Sequence, residues 1–150
     1  MRLVVQRVAR ASVRAGDERL GEIGPGALVL AGIGLADTAE IVDRMADKLV
    51  GLRYFTDADG RTNTAIADAG GSLLVVSQFT LYADVRGGRR PGFTGAAPPE
   101  LAVPLLDRFV ERLQAGGVPV ATGRFGATMA VELVNDGPFT LVLDSERDLA

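Results

Sequence analysis

Residues 2–14 alternate between apolar and more polar side chains, which is the two-residue period of a β-strand. One row of this alternation is apolar except for a single arginine, and it consists of Leu3, Val5, Arg7, Ala9, Ala11 and Val13. The pattern predicts a long strand with one apolar face and one more solvated face. Because burying a guanidinium is costly unless its donors are paired, Arg7 either reaches the edge of the sheet or binds carbonyl groups of a loop.

Shorter apolar runs between turn residues predict further strands at residues 19–23, 27–33, 72–82, 118–122, 128–134 and 139–144. Two amphipathic stretches predict helices. The first carries an apolar stripe of Ile41, Met45, Leu49 and Leu52, with Asp37 or Thr38 as its cap. The second begins at Pro98-Pro99 and ends at Gly116-Gly117.

The order of these elements favours an α+β fold in which a mainly antiparallel, barrel-like sheet is covered by two helices. No internal repeat or linker divides the chain, so residues 1–150 are predicted to form a single domain. The final residues, 145–150, are charged, and we expect them to be loose.

The chain contains no cysteine and no histidine. This composition excludes a disulfide, a thiolate nucleophile, a Ser-His-Asp triad and most transition-metal sites. A net charge of −3 argues against a general nucleic-acid binder, although a local basic cluster could still hold a phosphate backbone. No run approaches the roughly 20 apolar residues of a membrane span, and the N-terminus turns polar too early for a signal peptide. We therefore expect a cytoplasmic protein without membrane attachment.

Two segments allow both a structural and a functional interpretation. Ser77-Gln78-Phe79-Thr80 follows an apolar run at residues 73–76 that is typical of a strand buried on both faces. Its polar side chains either satisfy one another or line a pocket. Asn135-Asp136-Gly137-Pro138 predicts a turn between two strands, or else a rigid backbone element that faces a ligand.

A third segment, at residues 83–97, contains Arg86, Arg89 and Arg90 among glycines, with Phe93 beside them. It is either a solvated connection or a surface for phosphate contact and base stacking.

Ser77-Gln78-Phe79-Thr80, followed by Leu81-Tyr82-Ala83-Asp84, together with Asn135-Asp136-Gly137-Pro138 and Thr140, resembles the D-aminoacyl-tRNA deacylase family, which includes the D-tyrosyl-tRNA deacylases. The resemblance covers essentially the whole chain. It includes Val-Val-Gln-Arg-Val at residues 4–8, Gly-Arg-Arg-Pro at residues 88–91, and Arg124-Phe125-Gly126.

The resemblance implies a homodimer with each active site at the subunit interface. Ser77, Gln78, Phe79 and Thr80 of one subunit would form the pocket wall, and a cis Gly137-Pro138 dipeptide of the other subunit would insert into it. Arg7 would help to lock that dipeptide. The residues expected to select the chirality of the substrate are therefore Gly137, Pro138, Asn135, Thr140 and Arg7. Those expected to bind tRNA are Arg86, Arg89 and Arg90.

The chain departs from the family pattern at Phe139, where a small β-branched residue is usual. Because Phe139, Leu141 and Leu143 share one face of the predicted strand, we expect the ring to point to the core and not to the pocket.

The activity implied is hydrolysis of the ester of D-aminoacyl-tRNA and Gly-charged tRNA, with rejection of L-amino acids and without metal or cofactor. Backbone N–H groups of Phe79 and Thr80, with the Gln78 amide, could stabilise the oxyanion. Thr80 is the obvious nucleophile by inspection, but no histidine, lysine or N-terminal amine is in evidence to activate it. The resemblance implies instead that the ribose 2′-hydroxyl of the substrate positions or activates the water.

Two other functions compete with this one. The chain could be a non-enzymatic nucleic-acid-binding dimer that uses Arg86, Arg89 and Arg90, but this leaves Ser77, Gln78 and Thr80 unexplained. It could also be a sibling deacylase with a trans Gly-Pro bond and tolerance for small L-amino acids, although the intact Ser77-Gln78 pair favours the chirally strict enzyme.

Overall fold

The computed structural model describes residues 1–150 and contains eight strands and three α-helices. The strands are β1 (Arg2–Ala15), β2 (Glu18–Ile23), β3 (Gly26–Gly32), β4 (Arg53–Thr56), β5 (Thr62–Ala65), β6 (Ser72–Ser77), β7 (Val120–Thr122) and β8 (Ala130–Asp144). The helices are α1 (Ala39–Gly51), α2 (Pro99–Ala115) and α3 (Ser145–Asp148), and a short 3₁₀ helix spans Phe79–Tyr82.

The long first strand organises the sheet because both of its edges are paired. Along one edge β1 is antiparallel first to β3 and then to β2, and along the other edge it is antiparallel to β8. The strands β3, β6 and β7 then continue the sheet in parallel. Parallel neighbours require crossover connections, and α1 and α2 lie in those connections. The predicted α+β, barrel-like fold is confirmed, but its sheet is mixed and it carries a third helix.

The apolar alternation of β1 and the continuous apolar run of β6 build two layers of core. Leu73 and Val75 pack with residues of α1 and α2, whereas Leu74 and Val76 pack inside the curved sheet with Val8 and other residues. These four residues of β6 are at most 4% exposed, so the prediction of a strand buried on both faces is confirmed. Each apolar side chain buried in this way stabilises the folded state by about 1.5–3 kcal/mol relative to an exposed one.

The sheet curls into a nearly closed barrel because β2 approaches β7. A Cβ atom at Gly21 would lie 2.8 Å from the carbonyl oxygen of Thr122. On the outside, α1 and α2 are joined by two bidentate ion pairs, Arg108–Asp43 and Arg112–Asp47, with N–O distances of 2.7–2.8 Å. None of the helices is long and apolar enough to cross a lipid bilayer.

Three sequence-based expectations about local structure were wrong. The strand predicted over residues 72–82 ends at Ser77, because the following residues turn into the 3₁₀ helix. Residues 128–134 and 139–144 are not two strands joined by a turn, because both pair in the same direction with β1 and form one strand, β8. The C-terminal residues are not loose, since Asp144 caps α3 and Ser145 is buried.

Candidate active site

The Ser-Gln-Phe-Thr motif lies where the chain leaves the sheet. The N–H of Gln78 still donates to the carbonyl of Ala31 on β3, at 2.8 Å, and the backbone then bends into the 3₁₀ helix. We call residues 78–82 the active-site turn. The bend leaves Phe79 and Thr80 exposed to solvent, and the exposed fraction of Phe79 is 56%. Because the first N–H groups of a helix have no intrahelical partner, those of Phe79 and Thr80 remain available to a ligand.

The polar side chains of this motif satisfy one another in part. The amide Nε2 of Gln78 donates a hydrogen bond to the Thr80 hydroxyl. Beneath the turn, Gly32 allows close approach of the backbones, since a Cβ atom there would lie 2.9 Å from the Gln78 carbonyl oxygen. Gln78 and Thr80 therefore pair with each other, as the structural interpretation of the motif expects, on a surface that is open to solvent.

The Asn-Asp-Gly-Pro stretch is an excursion within β8. Asn135 lies opposite Val8 and Thr140 lies opposite Gln6, so residues 136–139, the Gly-Pro loop, bulge out across from Arg7. Gly137 and Pro138 are exposed, and the peptide bond between them is cis. Gly137 has φ +144°, and a Cβ atom there would lie 2.8 Å from the Phe139 nitrogen. Only glycine fits this position without displacement of the loop.

Arg7 fastens the Gly-Pro loop to the body of the protein. Its Nε donates to the Asp136 carbonyl at 3.0 Å, and its Nη1 donates to the Tyr54 carbonyl at 2.8 Å. Its guanidinium carbon lies 4.7 Å from the centroid of the Phe139 ring. The side chain is only 13% exposed, so these paired donors explain why an arginine is tolerated in the apolar row of β1.

Asn135 closes the same loop from its base. Its amide Nδ2 donates to the carbonyls of Arg7 and Phe139, at 2.9 and 3.0 Å, and its Oδ1 accepts the Phe139 N–H at 3.2 Å. The Phe139 ring packs towards the main core and lies 6.3 Å from the Tyr54 ring, as the shared face of β8 predicts. At the end of the loop, Gln6 donates to the Thr140 hydroxyl at 3.3 Å.

The arginine segment is pinned only at its ends. Backbone hydrogen bonds of 2.7 and 2.8 Å join Asp84 to Gly92 and close residues 84–93, which we call the arginine loop. Arg86 forms a bidentate ion pair with Asp84, at 2.9 and 2.8 Å, and this pairing lowers the pKa of the Asp84 carboxyl. Arg89 and Arg90 are exposed and take part in no ion pair.

An aromatic contact connects the arginine loop to the active-site turn. The rings of Phe79 and Phe93 meet edge to face, with centroids 5.1 Å apart, and both are partly open to solvent. Phe93, at the end of the arginine loop, therefore contacts the Ser-Gln-Phe-Thr motif through Phe79.

The Gly-Pro loop, in contrast, does not meet the active-site turn of its own chain. The register aligns Arg7 with Ala27 and Leu73, whereas Ser77 lies four residues further along β6. The loop is also on β8, three strands away from β6. At about 3.3 Å per residue and about 4.8 Å per strand, the separation is roughly 20 Å. The two elements therefore lie at separate places on one chain.

Comparison with known proteins places this arrangement in a family. The family model described as D-Tyr-tRNA(Tyr) deacylase matches residues 4–144. The chain belongs to the D-Tyr-tRNA(Tyr) deacylase family.

Relatives within this family are similar over nearly their full length. A D-aminoacyl-tRNA deacylase of Symbiobacterium thermophilum is 57% identical over 147 residues, which are 98% of this chain and 97% of that protein. One of Roseiflexus sp. (strain RS-1) is 58% identical over 145 residues, 97% of this chain and 94% of the relative.

Two solved structures share the fold. A "c-Myc DNA Unwinding Element Binding Protein" is 40% identical, with a TM-score of 0.89 over 96% of this chain and 98% of the other. A "probable eukaryotic D-amino acid tRNA deacylase" is 19% identical, with a TM-score of 0.81 over 95% of this chain and 97% of the other.

Sequence reasoning missed one feature of this deacylase-family chain, a cavity of about 360 Å³ beside Ser77. It is lined by Val75, Ser77, Leu106, Asp107, Val110, Glu111, Thr122, Gly123 and Phe125. Phe125 is 41% exposed, and it belongs to the Arg-Phe-Gly segment that contributed to the resemblance. An exposed aromatic residue among glycines was the available signal. No group of three or more Asp or Glu side chains is close enough to hold a metal ion.

Proposed function

We propose that this chain is a D-aminoacyl-tRNA deacylase, which hydrolyses the ester between a D-amino acid and the terminal ribose of tRNA. The match to the family model carries the proposal, and the names of relatives more than 50% identical support it. The exposed turn of the Ser-Gln-Phe-Thr motif, which contacts the arginine loop through Phe79 and Phe93, suits an RNA-linked ester. The proposed compartment is the cytoplasm, where charged tRNA is present.

The reaction needs a polarised carbonyl and a positioned water molecule. The N–H groups of Phe79 and Thr80 would hold the oxyanion that forms when water attacks the ester carbon. The bond from that carbon to the ribose oxygen then breaks, and the ribose oxygen takes up a proton. Since the chain offers no histidine to act as base, the neighbouring 2′-hydroxyl of the substrate would direct the water.

Chirality would be read by a second copy of the chain. We propose that the Gly-Pro loop of the partner subunit enters the pocket beside the active-site turn and occupies the space that an L side chain requires. A thousandfold preference needs about 4 kcal/mol, which a rigid clash supplies more readily than the loss of one contact. The ties from Arg7 and Asn135 give the loop this rigidity. Glycine has no side chain to reject, so Gly-charged tRNA would also be hydrolysed.

The cavity beside Ser77 would receive the terminal nucleoside of the tRNA. The exposed ring of Phe125 can stack on a base, and the carboxylates of Asp107 and Glu111 can accept hydrogen bonds from an exocyclic amine. The same carboxylates repel phosphate, which belongs instead with Arg89 and Arg90.

The proposal is tested by incubating the protein with D-Tyr-tRNA, L-Tyr-tRNA and Gly-tRNA, with and without a chelator, and following the release of amino acid. We expect release from D-Tyr-tRNA and Gly-tRNA that is independent of the chelator, and no release from L-Tyr-tRNA above the spontaneous rate. Rapid release of L-tyrosine would refute selection by rejection, and loss of activity with the chelator would show that a metal is needed.

A second experiment concerns the Thr80 side chain. If the substrate directs the water, Thr80→Ala retains substantial activity, because the backbone N–H groups remain in place. Deacylation of D-Tyr-tRNA is measured beside circular dichroism of the same sample. Complete loss of activity in a folded variant would instead favour a threonine nucleophile.

One observation favours a second candidate, non-enzymatic binding of nucleic acid. The relative with 40% identity is described as a DNA unwinding element binding protein, and Arg89 and Arg90 are free to contact phosphate. The same deacylation assay separates the two functions, because a pure binder would bind D-Tyr-tRNA and leave the ester intact.

A further inference from the structure

Tyr82 ends the active-site turn and sits against three glycines. A Cβ atom at Gly34 would lie 2.7 Å from atoms of its ring, and Cβ atoms at Gly32 and Gly95 would lie 3.4 and 3.7 Å from it. The ring therefore packs directly against the glycine backbone. A residue with a side chain at Gly34 would clash with it. Burial raises the pKa of Tyr82 above its usual value, so the phenol keeps its proton and acts as a donor.

The phenol reaches a buried carboxylate. Asp37 is 7% exposed and accepts three hydrogen bonds, from the Met1 ammonium, from the Gly34 N–H at 2.6 Å, and from the Tyr82 hydroxyl at 3.4 Å. The same ammonium also donates to the hydroxyl of Ser145 at 2.6 Å. Asp37 therefore connects the start of β1 with the end of the active-site turn.

Arg2 holds Tyr82 from the other side. Its guanidinium carbon lies 4.6 Å from the centroid of the Tyr82 ring, and its Nη1 donates to the Leu81 carbonyl at 3.0 Å. An ion pair of 2.9 Å with Asp144 fixes the arginine in turn. Tyr82 is thus fastened at its hydroxyl, its ring face and its neighbouring carbonyl.

We propose that Asp37 is a positioning residue for deacylation, and that it acts through Tyr82 to fix the turn that presents the N–H groups of Phe79 and Thr80. The inference rests on the proposed function, in which these N–H groups hold the oxyanion. An enzyme without a side-chain base depends on such geometry, and a displacement of about 1 Å can lower the rate by a factor of about 100.

The test compares kcat and KM for D-Tyr-tRNA in the wild type, Asp37→Asn, Tyr82→Phe and the double variant. Asp37→Asn keeps the shape of the side chain and removes its charge. We expect kcat to fall by a similar factor, roughly three- to tenfold, for Asp37→Asn and for Tyr82→Phe, with KM unchanged, because the donors are misplaced while tRNA still binds. The double variant should match Asp37→Asn, because the phenol acts only through the carboxylate.

Ser145→Ala is the matched control. It removes the other acceptor of the Met1 ammonium but contacts neither Tyr82 nor the turn. We expect its stability to fall while kcat stays within about twofold of the wild type. If Ser145→Ala lowers kcat as much as Asp37→Asn at an equal loss of stability, the role of Asp37 is structural only and the proposal is overturned. If the factors by which the two single variants lower kcat multiply in the double variant, then Asp37 and Tyr82 act independently. That result would overturn the route through Tyr82.

Two further outcomes separate the hypotheses. If Asp37→Asn does not fold, the positioning role is judged from Tyr82→Phe alone. An unchanged kcat in that variant overturns the proposal. No release of D-tyrosine by the wild type would refute the proposed function itself. Equal rates in the wild type and all folded variants would refute only the positioning role.

Discussion

The Gly-Pro loop and the arginine loop are both exposed excursions from the sheet, yet they are held in different ways. Five hydrogen bonds that involve the side chains of Arg7 and Asn135, four donated by them and one accepted by Asn135, bind residues 136–139 and the strand beside them to the protein body. The arginine loop is closed by one pair of backbone hydrogen bonds and one surface ion pair. Its remaining arginines extend into solvent.

This difference matches what each loop is proposed to do. Exclusion of an L side chain requires a surface that does not move, because a loop that yields no longer clashes with the wrong substrate. Attraction of a phosphate chain works through longer-range electrostatics and tolerates mobile side chains. In a protein that acts on tRNA, we therefore expect a rigid Gly-Pro loop next to the chiral centre of the substrate. We expect mobile arginine side chains where the phosphate chain lies.

The largest effect is expected when the rigid loop loses its main tie. Arg7→Met keeps the length of the side chain but removes the donors to Asp136 and Tyr54. The free energy of unfolding should fall by about 2–3 kcal/mol, since charged hydrogen bonds to carbonyls are lost. The ratio of L-Tyr to D-Tyr release should rise roughly tenfold or more, because the loosened wedge rejects less strictly. Urea denaturation and deacylation of both substrates measure the two quantities.

Arg10→Met is the control for this variant. Arg10 lies on the same strand, is exposed, and makes no ion pair, so its loss should leave both stability and selectivity within error of the wild type. If Arg7→Met is destabilised but keeps full discrimination between D-Tyr and L-Tyr, then rigidity of the Gly-Pro loop is not what rejects the L-amino acid.

The same two loops show what sequence can and cannot predict. Most strands of the main sheet, the two long helices and the doubly buried run of β6 follow from local periodicity, and Arg7 stood out because it broke that periodicity. The excursion at residues 136–139 could not be predicted from the sequence, because a succession of turn residues between two apolar runs predicts a hairpin. Whether the chain reverses there depends on β1, a strand more than 100 residues away, which offers one continuous edge to both halves of β8.

The missed parts of the candidate site have a similar cause. The end of β6 at Ser77 depends on close packing against Gly32, and the cavity beside Ser77 combines α2, β6, β7 and the segment around Phe125. Such features arise from contacts between distant elements, and Phe125 among glycines was the one local sign of the cavity. The composition nevertheless excluded histidine and cysteine chemistry without any knowledge of the fold.

A smaller effect, on affinity alone, is expected from the arginine loop. Replacing both Arg89 and Arg90 by alanine should raise the KM for D-Tyr-tRNA several-fold and lower the slope of log affinity against log salt by about 1.5, because two phosphate contacts are lost. Stability and the ratio of D-Tyr to L-Tyr release should not change. Filter binding at several salt concentrations measures the slope.

Arg53→Ala combined with Arg61→Ala is the matched control for this pair. It removes the same charge from exposed positions in and beside the β4–β5 hairpin, so it reports any general effect of net charge. Equal salt slopes in the two double variants would mean that the arginine loop has no special contact with the phosphate backbone.

The smallest effect concerns the one ion pair within the arginine loop. Arg86 lowers the pKa of Asp84 below 3.8, so the carboxylate contributes to stability above that pH and loses its contribution as the pH falls through the lowered pKa. The urea midpoint of Asp84→Asn should therefore lie slightly below that of the wild type at pH 7, and the difference should vanish as the pH falls through the lowered pKa of Asp84. Because many other carboxylates titrate over the same range, only the difference between the two proteins is informative.

Asp84→Asn also releases Arg86, which then becomes a third free guanidinium beside Arg89 and Arg90. A slightly steeper salt dependence of tRNA binding in this variant would confirm that the arginine loop is adaptable, whereas a large loss of stability would show that it is held as firmly as the Gly-Pro loop.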